Sequence, residues 1–343
     1  MVNGSGFMVN GSGFMVMGAR VTIAVPVYGV ERYIERCARS LFEQTWQEIE
    51  YLFVDDCSPD RSMEILRQVL EDYPERKEHV RIIRHERNRG QGVARNTAVE
   101  NCRTEFIMHV DSDDDLERNA VEKVLKKQAE NDYDIVRFGF RRIKRERTFE
   151  LYCPDLPSTR LLSKLLLARR LPICAWGSMY RTSLYKDNGI RVPEGVNYLE
   201  DYCVEPRLAY YAEKVGCVPD LLYNYYYAQK GSFTESFSEE KSRQALRALE
   251  VNQAFFSDKD GFRGPLREGT SCIVFLQIRD SLRNGWHRAY YKEMRAMWDG
   301  LPDKTTKGFS RFDRVILMID NYFIACVFYR TARFLYRLIY KWI

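Results

Sequence analysis

From Arg20 to Phe140 the chain alternates short, β-branched runs with helical patterns, and that order constrains the fold more than any single motif. RVTIAVPV, IEYLFVDD, VRIIRH, EFIMHV and YDIVRFGF read as strands. Between them lie helical stretches: about Val30 to Glu43, then SPDRSMEILRQVLEDY with Ser58 as N-cap and Pro59 in the first turn, then GQGVARNTAVENC, then LERNAVEKVLKKQAEN. Strands alternating with helices predict an α/β fold, a mostly parallel sheet with helices on both faces. Ligands of such sheets bind beyond the carboxyl ends of the strands. That rule sets Tyr28, Asp55, Asp56, Arg89 and the acids after EFIMHV along one rim.

Those acids are crowded. Asp111, Asp113, Asp114 and Asp115 fall within five positions, and like charges this close raise one another's pKa. Water can solvate such a group, or a cation can occupy it. An Asp-x-Asp step at a strand end offers hard oxygen ligands, which suit Mn²⁺ or Mg²⁺ completed by a substrate diphosphate. The other choice is a solvated cluster capping the helix that follows. The buried strand ahead of it, and the acids at Asp55 and Asp56, favour the cation.

Composition narrows the class. The chain has 343 residues, is 45% hydrophobic and 13% aromatic, and so can bury a sizeable core. Nine cysteines are scattered without a CxxC pair beside only four histidines, which argues against structural zinc and against a disulfide framework and fits a reducing cytoplasm. Most of the +5 net charge sits between Ser310 and Ile343, where six basic residues face two acids. A nucleic-acid partner is not expected from so local an excess. The opening repeat MVNGSGFMVNGSGF lacks the charged and apolar regions of a secretory signal and reads as a flexible leader over 1–19.

Beyond about Arg147 the alternation fades. Residues 158–170 and most of 239–299 look helical, LLYNYYYAQKGSF looks strand-like, and no clean linker divides the two halves. His109 reads as structural and His85 as a surface residue. The segment from Ser310 reads as one basic amphipathic helix. Its longest uninterrupted apolar stretch, Tyr322 to Tyr329, is too short to span a bilayer, which takes about 20 residues. Arg330, Arg333, Arg337 and Lys341 share one face, so an anionic membrane surface is the expected partner, with docking on the rest of the chain or a homodimer contact as open alternatives.

PVYGVERYIERCARSLFEQTWQEIEYLFVDDCSPDRS, ERNRGQGVARNTAVE, FIMHVDSDD and YLEDYCVEPRL, taken together, resemble the family 2 glycosyltransferases with a GT-A fold, of the bacterial polysaccharide type. The resemblance covers roughly 20–235. It implies a catalytic domain over 20–235; the chain's own pattern adds a helical extension over 236–309 and the membrane-associating helix over 310–343. It implies an inverting transfer of a sugar from a nucleotide-diphosphate sugar, a UDP-sugar above others, to a hydroxyl of a glycan or polyprenyl-linked acceptor. The setting would be surface polysaccharide synthesis at the cytoplasmic face of the cell membrane. Pro26, Val27 and Tyr28 would line the nucleotide pocket. Asp55 and Asp56 would read the base. Arg89, Gly90, Arg95 and Asn96 would shape the nucleotide and sugar pocket. Asp111 would sit near the donor sugar, and Asp113, with Asp111, would hold Mn²⁺ or Mg²⁺. Asp201, paired with Glu200, would be the catalytic base.

Trp176, Tyr180 and Ser232 are weaker candidates for the acceptor side. Core packing is an equal alternative for the two aromatics. Three positions depart from the family pattern. Gly29 and Cys57 replace the usual Asn and Gly, and Ser178 stands where a lysine is common, with Arg181 or Lys230 as substitutes. A catalytically degenerate relative acting as a scaffold, and a sugar nucleotidyltransferase, are the rival functions.

Overall fold

The computed structural model describes residues 8–10, 19–144, 147–227, 238–284, 288–302, 304–306, 309–319 and 321–339. The chain divides into two compact units. The first is Met1–Ser163 with Ile173–Phe233, and the second is Lys164–Pro172 with Thr234–Ile343.

The first unit contains β1 (Met8–Asn10), β2 (Val21–Val27), α1 (Ile34–Phe42), β3 (Ile49–Asp55), α2 (Ser62–Glu71), β4 (Val80–Arg84), α3 (Gln91–Asn101), β5 (Phe106–His109) and β6 (Asp115–Leu116). It continues with α4 (Ala120–Asn131), β7 (Ile135–Lys144), β8 (Arg147–Leu151), the start of α5 (Thr159–Leu167), β9 (Ser178–Arg181), α6 (Thr182–Lys186), α7 (Glu200–Tyr211) and β10 (Val215–Tyr226). One mixed sheet runs β1-β4-β3-β2-β5-β9-β7-β10-β6, with β8 on β7. β4, β3, β2 and β5 are mutually parallel, as the alternation predicted. All seven residues of β3 are buried, as expected of a parallel strand covered on both faces. Helix α1 shows why its sequence is helical: Ile34, Cys37, Ala38, Leu41 and Phe42 recur at helical spacing and face the core.

Three local expectations are corrected. Helix α2 starts at Ser62 instead of Ser58, because Asp60 rather than Ser58 takes its first amide: its Oδ1 accepts from Ser62 N at 3.1 Å. Helix α4 starts at Ala120, because Asp115 and Leu116 pair with β10 as a two-residue strand. His85 is 2% exposed and lies in the interior. Beside the parallel strands, β9 inserts antiparallel between β5 and β7.

The second unit is helical: α8 (Glu239–Phe256), α9 (Arg263–Asn284), α10 (Arg288–Gly300), α11 (Arg311–Met318) and α12 (Tyr322–Ile339). Val274, Phe275, Ile278 and Leu282 of α9 meet Tyr290, Tyr291, Met294 and Trp298 of α10 in one core, joined by Ile316, Tyr322, Ala325 and Tyr329. The single helix expected from Ser310 is therefore two, and both bury a face within this unit. The Ser310 side chain and Asp313 form a reciprocal capping box at the start of α11. Among the described residues no helix is long and apolar enough to cross a membrane.

Candidate active site

The rim of the first unit is built by strand ends and by the first turns of α3 and α7. At the end of β2, Tyr28 is 48% exposed and Gly29 turns the chain at φ +67°. At the end of β3, Asp55 and Asp56 are buried. Asp55 Oδ1 accepts from Ser58 N at 2.8 Å. Asp56 is occupied on both oxygens. Oδ1 accepts from Arg89 N at 2.9 Å and faces His85 Nδ1 at 2.6 Å, and Oδ2 accepts from Gly90 N at 2.7 Å. His85 Nε2 in turn lies 2.9 Å from Thr97 Oγ1. Asp56 thus ties β3 to the turn that opens α3.

That turn needs glycine. Gly90 stands at φ +88°, and a Cβ there would lie 2.1 Å from the Asn197 amide. Asn96 latches the same loop to α3, donating to Val192 O at 2.8 Å and accepting from Val192 N at 3.0 Å. Arg89 reaches Glu194 at 3.5 Å. Arg89, Gly90 and Asn96 therefore shape the rim by holding the loop around Val192 to Asn197.

Arg95 stands at the centre. Its guanidinium is buried and meets three carboxylates: Asp111 at 2.7 Å, Glu200 at 2.8 Å and Asp201 at 2.7 Å. The motif after β5 and the motif opening α7 lie ninety residues apart in the chain, and one side chain gathers them. Gln91 Nε2 adds a bond to Asp111 at 2.9 Å. Burial pushes the Glu200 and Asp201 carboxyls up, while the Arg95 charge opposes this. The Asp201 carboxylate also accepts from the Ala175 amide, and one turn later Glu205 accepts from the Cys174 amide. Leu199, just ahead of this pair, holds φ +59°, a strained conformation for a bulky residue.

The four clustered acids have separate duties. Asp114 accepts from Tyr223 Oη at 2.8 Å and from Tyr226 N at 2.8 Å, fixing the loop to β10. Asp115 pairs with Arg36 at 3.0 Å and accepts from Asn224 Nδ2 at 2.8 Å. Asp111 is shared with Arg95. Asp113 is half-buried, and burial followed by the Asp111 charge pushes its carboxyl up to about 6. A cation beside it would relieve both effects. Asp113 and Asp111 supply hard oxygens suited to Mn²⁺ or Mg²⁺. Among the described residues no three His, Cys, Asp or Glu side chains converge as a metal cage, so a ligand phosphate would have to complete the shell.

The acceptor candidates fare differently. Trp176 is 6% exposed, stacked on Tyr223 at 4.3 Å and edge-on to Phe140 at 4.8 Å, and Tyr180 is 2% exposed. Both are core residues. Ser178 is buried in β9. Arg181 cannot replace the missing lysine: it pairs with Phe106 at the start of β5 and binds Glu105, Asp132 and Asp134, at the opposite end of β5 from Asp111. Ser232 and Lys230 lie outside the described residues. The sequence reading did not single out Gln91 or Arg36. Gln91 is the residue after the α3 glycine turn. Arg36 is one of three charged residues of α1, with Glu35 and Arg39, and its spacing does not set it apart from them.

Comparison with known proteins now bears on this geometry. The family model for glycosyl transferase family 2 matches residues 22–189. The uncharacterized glycosyltransferase EpsJ of Bacillus subtilis (strain 168) is 32% identical over 262 residues, covering 74% of each chain. Among solved structures, S. aureus TarS 1–349 in complex with UDP-GlcNAc superposes with a TM-score of 0.70 at 20% identity, covering 93% of this chain and 92% of that one. The mannosyltransferase PcManGT of Pyrobaculum calidifontis, in complex with GDP-Man and Mn²⁺, gives 0.51 at 17% identity over 90% and 86%. Motifs, fold and relatives agree, and the chain belongs to glycosyl transferase family 2, with the GT-A fold.

Proposed function

We propose that this glycosyltransferase moves a sugar from a nucleotide-diphosphate sugar, a UDP-sugar above others, to a hydroxyl of a glycan or lipid-linked acceptor, with inversion, in surface polysaccharide synthesis. The carrying observation is the Arg95 hub, which holds Asp111 and Asp201 on one guanidinium. The acceptor hydroxyl attacks the anomeric carbon from the face opposite the diphosphate. Asp201 takes the hydroxyl proton, and the bond to the diphosphate breaks. A positioned base typically contributes about 10²–10⁴-fold. Glu200 shares the Arg95 charge with Asp201 and keeps the base in place. Mn²⁺ or Mg²⁺, held by Asp113 with Asp111, would neutralise the departing diphosphate. The UDP-GlcNAc complex of TarS supports a UDP-sugar, and the Mn²⁺ in PcManGT supports a metal. The reading extends to an anionic membrane on the cytoplasmic side as the place of work.

The test is thermal unfolding of the chain with UDP, GDP, dTDP and CMP, each with and without Mn²⁺. A ligand at 100 times its Kd adds about 2.7 kcal/mol. Asp113→Asn should lose the metal-dependent shift. Asp201→Asn should keep it and lose transfer by at least about 10²-fold. Normal turnover by Asp201→Asn would remove the base assignment.

A further inference from the structure

The segment RRIKRER, Arg141 to Arg147, holds five basic residues and one acid. It spans the end of β7 and the start of β8, and strand alternation sends its charges to two faces. On one face every described cation has an acid. Arg141 donates to Glu117 at 2.6 Å, and Arg36, stacked 3.5 Å over the Tyr226 ring, pairs with Asp115.

The other face is different. Register places Arg142 between Tyr225 of β10 and Phe149 of β8, and sets Lys144 opposite Arg147. Arg142 lies 3.8 Å over the Tyr227 ring, and Lys144 lies 5.2 Å from the same ring. Phe149 is 53% exposed. Among the described residues no carboxylate pairs with Arg142, Lys144 or Arg147. Three cations on one face repel one another, and stacking on tyrosine recovers only about 0.5–1 kcal/mol each at exposed sites. Among the described residues this face lacks an anion. It also leads to the chemistry: two residues back from Tyr225, the Tyr223 hydroxyl bonds Asp114 and accepts from the Asp111 amide at 3.1 Å.

We propose that this face, formed by Arg142, Lys144, Arg147, Phe149, Tyr225 and Tyr227, binds an anionic acceptor glycan that carries phosphate or carboxylate groups. The aromatic rings pack on sugar rings and the cations meet the charges. The inference rests on the transferase reading above and names the substrate class that reading leaves open.

Fluorescence anisotropy with labelled polygalacturonate, poly(glycerol phosphate) and neutral dextran tests it. The full chain should bind one or both polyanions at least about tenfold more tightly than dextran. Which of the two binds more tightly tells carboxylate from phosphate. The triple variant Arg142→Gln, Lys144→Gln, Arg147→Gln should lose that preference while keeping the nucleotide thermal shift. Arg103→Gln with Arg247→Gln and Arg267→Gln, the same loss of three charges at exposed positions elsewhere, should alter nothing. If the triple variant does not fold, Lys144→Gln and Arg147→Gln, both at exposed positions, carry the same comparison.

Equal binding of dextran and polyanions overturns the proposal. So does binding of anionic vesicles without soluble polyanions. Loss of the nucleotide shift in the triple variant overturns it too, by giving these cations to the donor phosphates. Nucleotide binding without polyanion binding sinks this inference alone. Absence of any nucleotide shift in the unaltered chain sinks the transferase reading instead.

Discussion

Cys57 holds φ +60° in the turn after β3, where the family pattern has glycine. A side chain there costs roughly 1–2 kcal/mol, part of which glycine would return as unfolded-state entropy. Cys57→Gly should therefore stabilise the chain by about 1 kcal/mol in urea unfolding, leaving the slope unchanged. Glu205 makes a second prediction at this scale. It is 3% exposed, its Oε1 has no partner among the described residues, and burial followed by the Asp201 charge raises its pKa from 4.5 to about 8. The folded chain keeps this proton up to about pH 8, while the unfolded chain releases it near 4.5. Its contribution is therefore complete below pH 4.5 and is lost as pH rises toward 8. Glu205→Gln should flatten the fall in Tm between pH 5 and 8, a window set by that pKa pair. An unchanged slope would place the titration on another group. His109, whose pKa burial lowers to about 3, acts in the opposite sense and costs stability only as pH falls below 6.5.

Elements explain what the sequence could and could not disclose. β2, β3 and β5 were legible because buried parallel strands are largely apolar runs bounded by turns, and the polar residues that follow them mark the rim; β4, with one buried residue in five, was legible from its β-branched Val80, Ile82 and Ile83. The Asp111–Asp113 and Glu200–Asp201 motifs were legible as residue types at strand and helix ends. Their meeting through Arg95 was not, since a contact across a hundred residues leaves no period in the chain. β6 and β9 escaped because two and four residues carry no alternation to read. The roles of Asp114 and Asp115 escaped because only the partner strand β10 reveals them. The tail was half legible. Its charge pattern pointed outward, but Tyr322, Ala325 and Tyr329 point into the helical core. Tyr329→Ala should cost about 3 kcal/mol, as removal of a buried aromatic does. Phe323→Ser, on the exposed side of the same helix, should stay within about 0.5 kcal/mol. Equal losses at both positions would mean that α12 has no outer face.

At the scale of the whole molecule that outer face matters most. Deleting everything from Ser310 would remove core residues and unfold the helical unit, so point changes must test the membrane reading. On α11, Arg311, Arg314, Val315 and Met318 lie at exposed positions. On α12, Phe323, Ile324 and Val327 are 59%, 59% and 65% exposed, and the exposed Arg330 follows one turn on. Arg288 sits 5.1 Å over the Phe323 ring. No acid occurs between Tyr322 and Ile339. An apolar ridge edged by arginines suits the boundary between headgroups and acyl chains, where apolar burial and charge attraction add. Burying one large side chain is worth about 1.5–3 kcal/mol, so Phe323→Ser with Val327→Ser should cut binding to phosphatidylglycerol vesicles by well over about tenfold. Raising salt to about 1 M shortens screening to roughly 3 Å and should weaken binding further without abolishing the apolar share. Binding that salt alone removes, and that the ridge variant retains, would make the contact electrostatic and assign it to the basic residues. Binding to neither anionic nor neutral vesicles, with a concentration-dependent sedimentation coefficient, would hand the ridge to a second copy of the chain.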